Sequence, residues 1–208
     1  MGVKSFLRAL VVSCALLPSL VLASWDEAKV VVDKASASMF SILSDSEAAT
    51  DAEKFETVMT DIDQALSTVV DFDYISKLVM GKYYRQATPQ QQAEFAGVFK
   101  DTLYRTYAKA LVGFEMESYS ISPPISESPK PQNQIVTVNV VSKSGNQYSL
   151  LYYMVDRGDG FQLVNVVLNG INLRLTFKNQ FASIVQRNRG NIAKSIADWR
   201  EQVGGTGA

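Results

Sequence analysis

The chain has 208 residues, 47% of them hydrophobic and 20% charged, with 12 Gly and 6 Pro; this is the composition of one folded domain, at most two, and it excludes disordered, collagen-like and coiled-coil chains. Twenty Lys and Arg against 21 Asp and Glu leave a net charge of −1, so no basic surplus exists to neutralise a nucleic-acid backbone and nucleic acid is not an expected partner. There is no His, which removes Ser-His-Asp and Cys-His triads, His-ligated zinc and a histidine general base together.

At the N-terminus, Lys4 and Arg8 precede an apolar stretch from Ala9 to Leu17 broken only by Ser13 and Cys14, and Pro18 leads into Val21-Leu22-Ala23. A positive region, a short apolar run and small residues where a signal peptidase reads them predict a secretory signal peptide over residues 1–23, removed on export. The run is too short to span a bilayer. Val11-Val12-Ser13-Cys14 resembles a lipoprotein cleavage box only loosely, because the apolar run continues past it. Cleavage takes Lys4 and Arg8 and no acid, moving the net charge from −1 to −3, and it takes Cys14, the one cysteine. The exported chain then forms no disulfide and depends on core burial, about 70% of the unfolded surface at this size.

Apolar residues Ala28, Val31, Val32, Ala35, Met39 and Ile42 recur at steps of three and four and predict a helix over 25–43. A second helix is expected to start after Ser46 or Thr50 and to run to about Val70, with Phe55, Val58, Met59, Ile62, Leu66, Val69 and Val70 on one face. Residues 72–81 read as a short helix closed by Gly81. Thr88, Pro89 and Gln91 spell a capping box with Pro at the first helical position, which predicts a helix to about Phe114. Its stripe Phe95, Phe99, Leu103, Tyr107 and Leu111 is, by spacing alone, a core face.

Beyond Phe114 the period changes. Residues 117–122 are a candidate strand, and Pro123, Pro124, Pro129 and Pro131 then forbid both helix and ladder, which predicts a long exposed loop. Residues 134–143, 147–157 and 161–168 are rich in Val, Ile, Leu and Tyr, with turns at Ser144-Gly145-Asn146 and Gly158-Asp159-Gly160, and read as an antiparallel meander. Arg157-Gly158-Asp159 spells an adhesion tripeptide, but a hairpin turn uses these residues anyway. Helical spacing returns over 173–188 and 191–199, and 204–208 read as a frayed tail, leaving one domain over 24–203.

Apolarity on both faces of the meander is the informative feature. Tyr148, Leu150, Tyr152 and Met154 point one way and Leu151, Tyr153 and Val155 the other, with Val136, Val138 and Val140 set against Ile135 and Val141. Such a sheet is covered by helices on both sides, curls around a core, packs on a partner or lines a cavity. Catalytic constellations are thin. Asp71 and Asp73 diverge at a spacing of two, Asp61/Asp63 and Asp156/Asp159 lack the ligand count of a calcium loop, and no phosphate loop or nucleophile elbow occurs, so no catalytic or metal-binding residue is assigned.

The run Leu78-Val79-Met80-Gly81-Lys82-Tyr83-Tyr84-Arg85-Gln86-Ala87-Thr88-Pro89-Gln90-Gln91, continuing to Phe95, Phe99, Leu103, Tyr107 and Leu111, resembles the signature of the MlaC family, periplasmic phospholipid-binding components of the Mla (toluene-tolerance) ABC transport system. The resemblance extends to Val164-Asn165-Val166-Val167-Leu168-Asn169-Gly170-Ile171-Asn172-Leu173, where such proteins usually carry Asp-x-x-x-Glu-Gly-x-Ser and then an aromatic-Arg pair. Here Asn165, Asn169 and Asn172 replace the Asp, Glu and Ser, and Phe177-Lys178 stands for the pair. The resemblance implies an α+β fold: a curved antiparallel sheet of about four strands, like that of nuclear transport factor 2, with packed helices enclosing an apolar pocket for lipid tails. It implies a monomeric carrier that maintains outer-membrane lipid asymmetry, with phospholipid as cargo, no cofactor, and as partners an inner-membrane transporter bearing an MCE-domain ring and an outer-membrane lipoprotein–porin complex. A protein-binding adaptor using the apolar sheet face, and a small His-free enzyme on the same sheet, are the competing readings.

The pocket candidates are Leu78, Val79 and Tyr83, the stripe Phe95, Phe99, Leu103 and Tyr107, and the sheet residues Val138, Val140, Leu151, Tyr153, Val164 and Val166, with Gly170-Ile171 shaping the bend into the last helices. Arg85, Arg174 and Lys178 are candidates to meet a head group. A 16-carbon chain exposed to water costs on the order of 12 kcal/mol, so a carrier need only shelter it. An empty, dry pocket of about 1,000 Å³ would cost roughly 24 kcal/mol, more than a domain's whole stability, so the expected pocket collapses, hydrates or stays filled.

Overall fold

A computed structural model describes residues 24–46, 52–112 and 114–205, with side chains described for 24–44, 56–106 and 114–203. The expected leader 1–23 and the last three residues lie outside the described residues. In chain order the elements are α1 (Trp25–Ser46), α2 (Ala52–Leu66), α3 (Phe72–Met80), a 3₁₀ turn (Gly81–Gln86), α4 (Pro89–Val112), β1 (Met116–Ser122), β2 (Asn133–Ser142), β3 (Gln147–Asp156), β4 (Phe161–Leu168), β5 (Ile171–Asn172), α5 (Leu173–Arg187) and α6 (Ile192–Gly205). The fold is α+β, and the sheet is an open antiparallel meander in the order β1-β2-β3-β4-β5.

Local chemistry starts most of the helices. Ser24 and Glu27 form a reciprocal capping box on α1, the Ser24 N–H donating to the Glu27 carboxylate at 2.9 Å and the Glu27 N–H to the Ser24 hydroxyl at 3.3 Å. Thr88 and Gln91 make the same exchange on α4, as their spacing predicts. Asp71 caps α3 by accepting from the Tyr74 N–H, Asn172 caps α5 by accepting from the Leu175 N–H, and the Asn191 side chain accepts from the Lys194 N–H at the start of α6. Gly81 closes α3 at φ +57°.

Three boundaries differ from the sequence expectation. The second helix ends at Leu66 rather than about Val70, because the chain turns at Ser67 and residues 69–71 pair with the edge of β4: the Leu163 N–H donates to the Val69 carbonyl at 2.7 Å and the Asp71 N–H to the Leu163 carbonyl at 3.1 Å. The sheet has a fifth, two-residue strand. Asn169 (φ +47°) and Gly170 (φ +84°) form a two-residue hairpin turn with both residues left-handed, so Leu168 pairs with Ile171, the geometry that Asn-Gly favours most. The last helix continues to Gly205 instead of ending at Trp199, and its end is docked: the Thr106 hydroxyl donates to the Val203 carbonyl and the Arg187 guanidinium to the Gln202 side chain. Gly204 and Gly205, expected in the tail, thus belong to α6.

The core has two principal parts. Helices α3 to α6 enclose an aromatic cluster in which Trp199, fully buried, meets Phe95, Phe99, Phe177 and Phe181 at ring-centroid distances of 5.6 to 6.3 Å. Helix α1 crosses one face of the sheet, burying Ala28 and Val32 against Val136, Val138, Met154 and Phe161. The Trp25 indole N–H bonds the Ile135 carbonyl and the Tyr119 hydroxyl meets Asp33, which fix its position. The register places Tyr119, Ile121, Val138, Val140, Leu150 and Tyr152 on this inner face and Ile135, Leu151, Tyr153 and Val167 on the outer face. None of these four outer residues joins a core cluster among the described residues.

One clamp joins the two layers. Arg157, at the tip of the β3–β4 hairpin, forms an ion pair with the nearly buried Asp71 and stacks over the Tyr74 ring at 4.6 Å, so the arginine of the adhesion-like tripeptide is committed to structure. Asp71 therefore both caps α3 and holds the hairpin. Asp71→Ala is expected to lower stability by about 2 kcal/mol in urea unfolding, and Asp71→Asn, which keeps the cap but loses the ion pair, by about half of that; an unchanged midpoint for the alanine variant would refute the clamp.

An apolar cavity between the helices and the sheet

A cavity of about 220 Å³ lies where α2, α3, α4, β4 and the first turns of α5 converge. Helix α2 contributes Ile62 and Leu66, the crossover Val70, and α3 Phe72 and Ile75. Phe99, Leu103 and Tyr104 come from α4 and Leu173, Arg174 and Phe177 from α5. From β4 come Leu163, Asn165 and Val166. The β3–β4 register slips between Tyr153 and Met154, so that Val164 is an extra, bulged residue; Leu163 and Val166, opposite Met154 and Tyr152, therefore share the inner face, while Asn165 stands opposite Tyr153.

The lining is apolar except at two places. At one, Lys100 Nζ lies 2.6 Å from Asp63 Oδ1 and holds the Asp63 carboxyl below its usual range, while burial first and the Asp63 carboxylate second push the Tyr104 hydroxyl up. At the other, Asn165 and Arg174 sit side by side. Asn165 is 3% exposed; its Oδ1 accepts from the Arg174 N–H at 3.3 Å, and its Nδ2 has no partner.

The sequence-predicted site residues divide. Phe99, Leu103, Val166 and Arg174 line the cavity. Val79, Tyr83 and Phe95 are packed in the aromatic cluster, because α3 and α4 turn those positions toward α5 and α6; Leu78 is half-buried beside them. Val138 is buried under α1, with Val140 half-buried next to it, and Val164 is the buried bulge residue. Leu151 and Tyr153 point out of the opposite face from Val138 and Val140. Gly170 and Ile171 sit at the exposed hairpin turn, Ile171 60% exposed, rather than in the wall. The side chain of Tyr107 lies outside the described residues. Arg85 and Lys178 are exposed, the latter lying across Gly81 with its Cε 3.1 Å from where a Cβ would stand. Ile62, Leu66 and Val70 were legible as an apolar face of α2, but nothing local told that the face meets Leu163 and Phe177.

The inner sheet face continues from the cavity. Val166 pairs with Tyr152, which follows Leu150 on the same face of β3. Burial pushes the Tyr152 hydroxyl up to about 12, and the residue retains intermediate exposure. Leu150, Tyr148, Val140 and Ile121 share the half-buried state. The three asparagines that depart from the family pattern serve the backbone here: Asn169 both donates its N–H to the Ser149 carbonyl and accepts from the Ser149 N–H, Asn172 caps α5, and Asn165 holds the Arg174 N–H.

Candidate catalytic pairs are absorbed by structure. Asp71 caps and clamps, Asp156 accepts from the Gly158 and Gly160 N–H groups of its own turn, and Asp63 is paired with Lys100. Among the described residues no group of three His, Cys, Asp or Glu could hold a metal ion, and no helix is long and apolar enough to cross a membrane.

Against known proteins, the family model of the MlaC protein matches residues 33–201. The chain is 34% identical over 143 residues to the toluene tolerance protein ttg2D of Pseudomonas putida, covering 68% of this chain and 66% of that one. It is 26% identical over 92 residues to the intermembrane phospholipid transport system binding protein MlaC of Haemophilus influenzae, 43% of this chain and 42% of that one. The matched stretches thus span about two thirds and less than half of those relatives. The fold matches a phospholipid-binding protein of Ralstonia solanacearum, solved in complex with a phospholipid, at a TM-score of 0.72 and 24% identity over 88% of this chain and 97% of that one. With the family model matching most of its length, the chain belongs to the MlaC family.

Proposed function

We propose that this protein is a phospholipid carrier of an Mla-type transport system, exported to the periplasm as a monomer, which shelters acyl chains between sheet and helices and hands lipid between an outer-membrane lipoprotein–porin complex and an inner-membrane MCE-domain ring. The observation that carries the reading is the apolar cavity of about 220 Å³ continuing onto a half-buried inner sheet face. The relatives named for phospholipid transport and toluene tolerance, and the phospholipid held by the Ralstonia protein, support it.

The magnitudes fit a carrier rather than an enzyme. An acyl chain of 16 carbons costs on the order of 12 kcal/mol in water, and moving between two dry environments avoids that cost with no chemical step. At roughly 24 cal/mol per Å³ the cavity, left empty, costs about 5 kcal/mol, the low end of a domain's whole stability. It is far smaller than the 1,000 Å³ envisaged from the sequence and holds a segment of one chain. The second chain lies along Tyr152, Leu150 and Val140, the strip that continues from Val166. Filling the cavity therefore stabilises the fold.

Protein purified from the periplasm is expected to carry phospholipid in native mass spectrometry, and stripping it is expected to lower the melting temperature by roughly 5–15 °C; a lipid-free preparation melting at the same temperature would sink the proposal. The competing adaptor reading draws on the uncovered outer face, where Ile135 is 43% exposed. Two variants separate the readings. Leu103→Asp places a charge in the cavity wall and is expected to reduce bound lipid at least tenfold, whereas Leu151→Asp on the outer face should leave it unchanged; the reverse pattern would favour the adaptor.

A further inference from the structure

Charge is unevenly distributed over this protein. Residues 74–93 and 160–197 hold eight Lys and Arg and no Asp or Glu, in a chain whose totals are 20 and 21. The fold brings the two stretches together, since α3 packs on α5 and the Tyr83 and Phe181 rings meet at 6.3 Å. At the seam stands Gly81, against which the Lys178 side chain lies. The Gly81 N–H bonds the Lys77 carbonyl and Lys82 follows directly. Arg85 comes three residues later in the 3₁₀ turn, where positions i and i+3 eclipse and so share a face. Lys77, Lys82, Arg85 and Lys178 are all exposed, and none has an ion-pair partner among the described residues. Asp73, one turn before Lys77, is not paired with it, and Glu94, the next acid along, pairs with Arg200. Arg187 and Lys194, farther on, are committed to Gln202 and Asp198.

Two large aliphatic side chains accompany these cations. Ile171 is 60% and Leu175 53% exposed, and Leu175 lies one turn before Lys178 on α5. Another side of the same helix, through Leu173 and Phe177, lines the cavity. Exposed Ile and Leu beside unpaired lysines fit an anionic bilayer surface: the aliphatic groups enter the acyl boundary while the ammonium groups stay with the lipid phosphates. A protein partner favours aromatic and arginine anchors and few lysines, and three of these four cations are lysine.

We propose that the face formed by the 3₁₀ turn and the outer side of α5 docks directly on the anionic phospholipids of a bilayer. Docking there sets the molecule down with α5 between the membrane and the cavity. The protein as a whole is net negative, so a bilayer of like charge repels it in most orientations and this face selects one. The inference adds a direct membrane contact to the carrier reading, and it rests on that reading only for the use made of the contact.

The test is sedimentation of the full exported chain with vesicles of two compositions: phosphatidylethanolamine containing one quarter phosphatidylglycerol, and phosphatidylcholine alone. Binding is expected with the first and not with the second. It is expected to fall as salt shortens the Debye length from about 10 Å at 0.1 M to about 3 Å at 1 M. Lys77→Gln combined with Lys82→Gln is expected to weaken binding roughly 25-fold, about fivefold per cation, and Leu175→Ser roughly three- to tenfold. Both variants should keep the wild-type Tm and bound-lipid content. Lys130→Gln, on the proline-rich loop between β1 and β2, should change nothing. Sedimentation indifferent to lipid charge, or a loss for Lys130→Gln as large as that for the double variant, would overturn the docking face. A wild type that carries phospholipid but ignores both vesicles would also overturn it, leaving the carrier reading intact and an acidic protein as the occupant of the patch. A wild type that sediments with the anionic vesicles yet carries no phospholipid would uphold the face and overturn the carrier.

Discussion

The pairing of residues 69–71 with the edge of β4 is the constraint on which the cavity depends. A helical layer that packed directly on the sheet would close the space between them. Instead the chain leaves α2, bonds Leu163 through both its N–H and its carbonyl, and enters α3 at Asp71, so the end of α2 and the start of α3 are fixed at the rim of β4 and not over its face. On the opposite side the Asn169-Gly170 turn and the Asn165 and Asn172 side chains fix where α5 begins. With both helical walls pinned to one strand, the space between them is set by backbone hydrogen bonds and not by how well Ile62, Leu66 and Phe177 interdigitate.

That arrangement separates two uses of apolar surface. The aromatic cluster around Trp199 is solid, with Phe95, Phe99, Phe177 and Phe181 in ring contact, and it supplies the stability that a chain without disulfides needs. Phe99 and Phe177 belong to both regions, one side on Trp199 and the other on the cavity. Ligand occupancy is thereby coupled to the core, because a ligand that orders these two rings orders part of the cluster as well.

Much of this was legible in sequence. Steps of three and four placed the helices, Thr88-Pro89-Gln91 placed the start of α4, the four prolines after Ser122 placed the loop, and alternation assigned Leu150 and Tyr152 to one face of β3 and Leu151 and Tyr153 to the other. What the pattern does not carry is which face a helix covers. Leu151 and Tyr153 are as apolar as Leu150 and Tyr152, and only the path of α1, fixed by Trp25 on Ile135 and Asp33 on Tyr119, distinguishes them. The same limit applies to the α4 stripe, where Phe95 meets Trp199 while Leu103, two turns on, meets the cavity. Periodicity names a face; what that face meets is decided far away in the chain.

The three asparagines show a different kind of illegibility. Judged against the family pattern they read as losses of a carboxylate or hydroxyl, yet each finds a backbone group to satisfy, and Asn169 makes the β4–β5 turn that a glutamate favours less. Asn165 differs from the other two in being buried with one end unused. Its oxygen is spent on the Arg174 N–H, so β4 and the start of α5 are joined through a side chain whose partner, nine residues on, no pattern in the sequence marks.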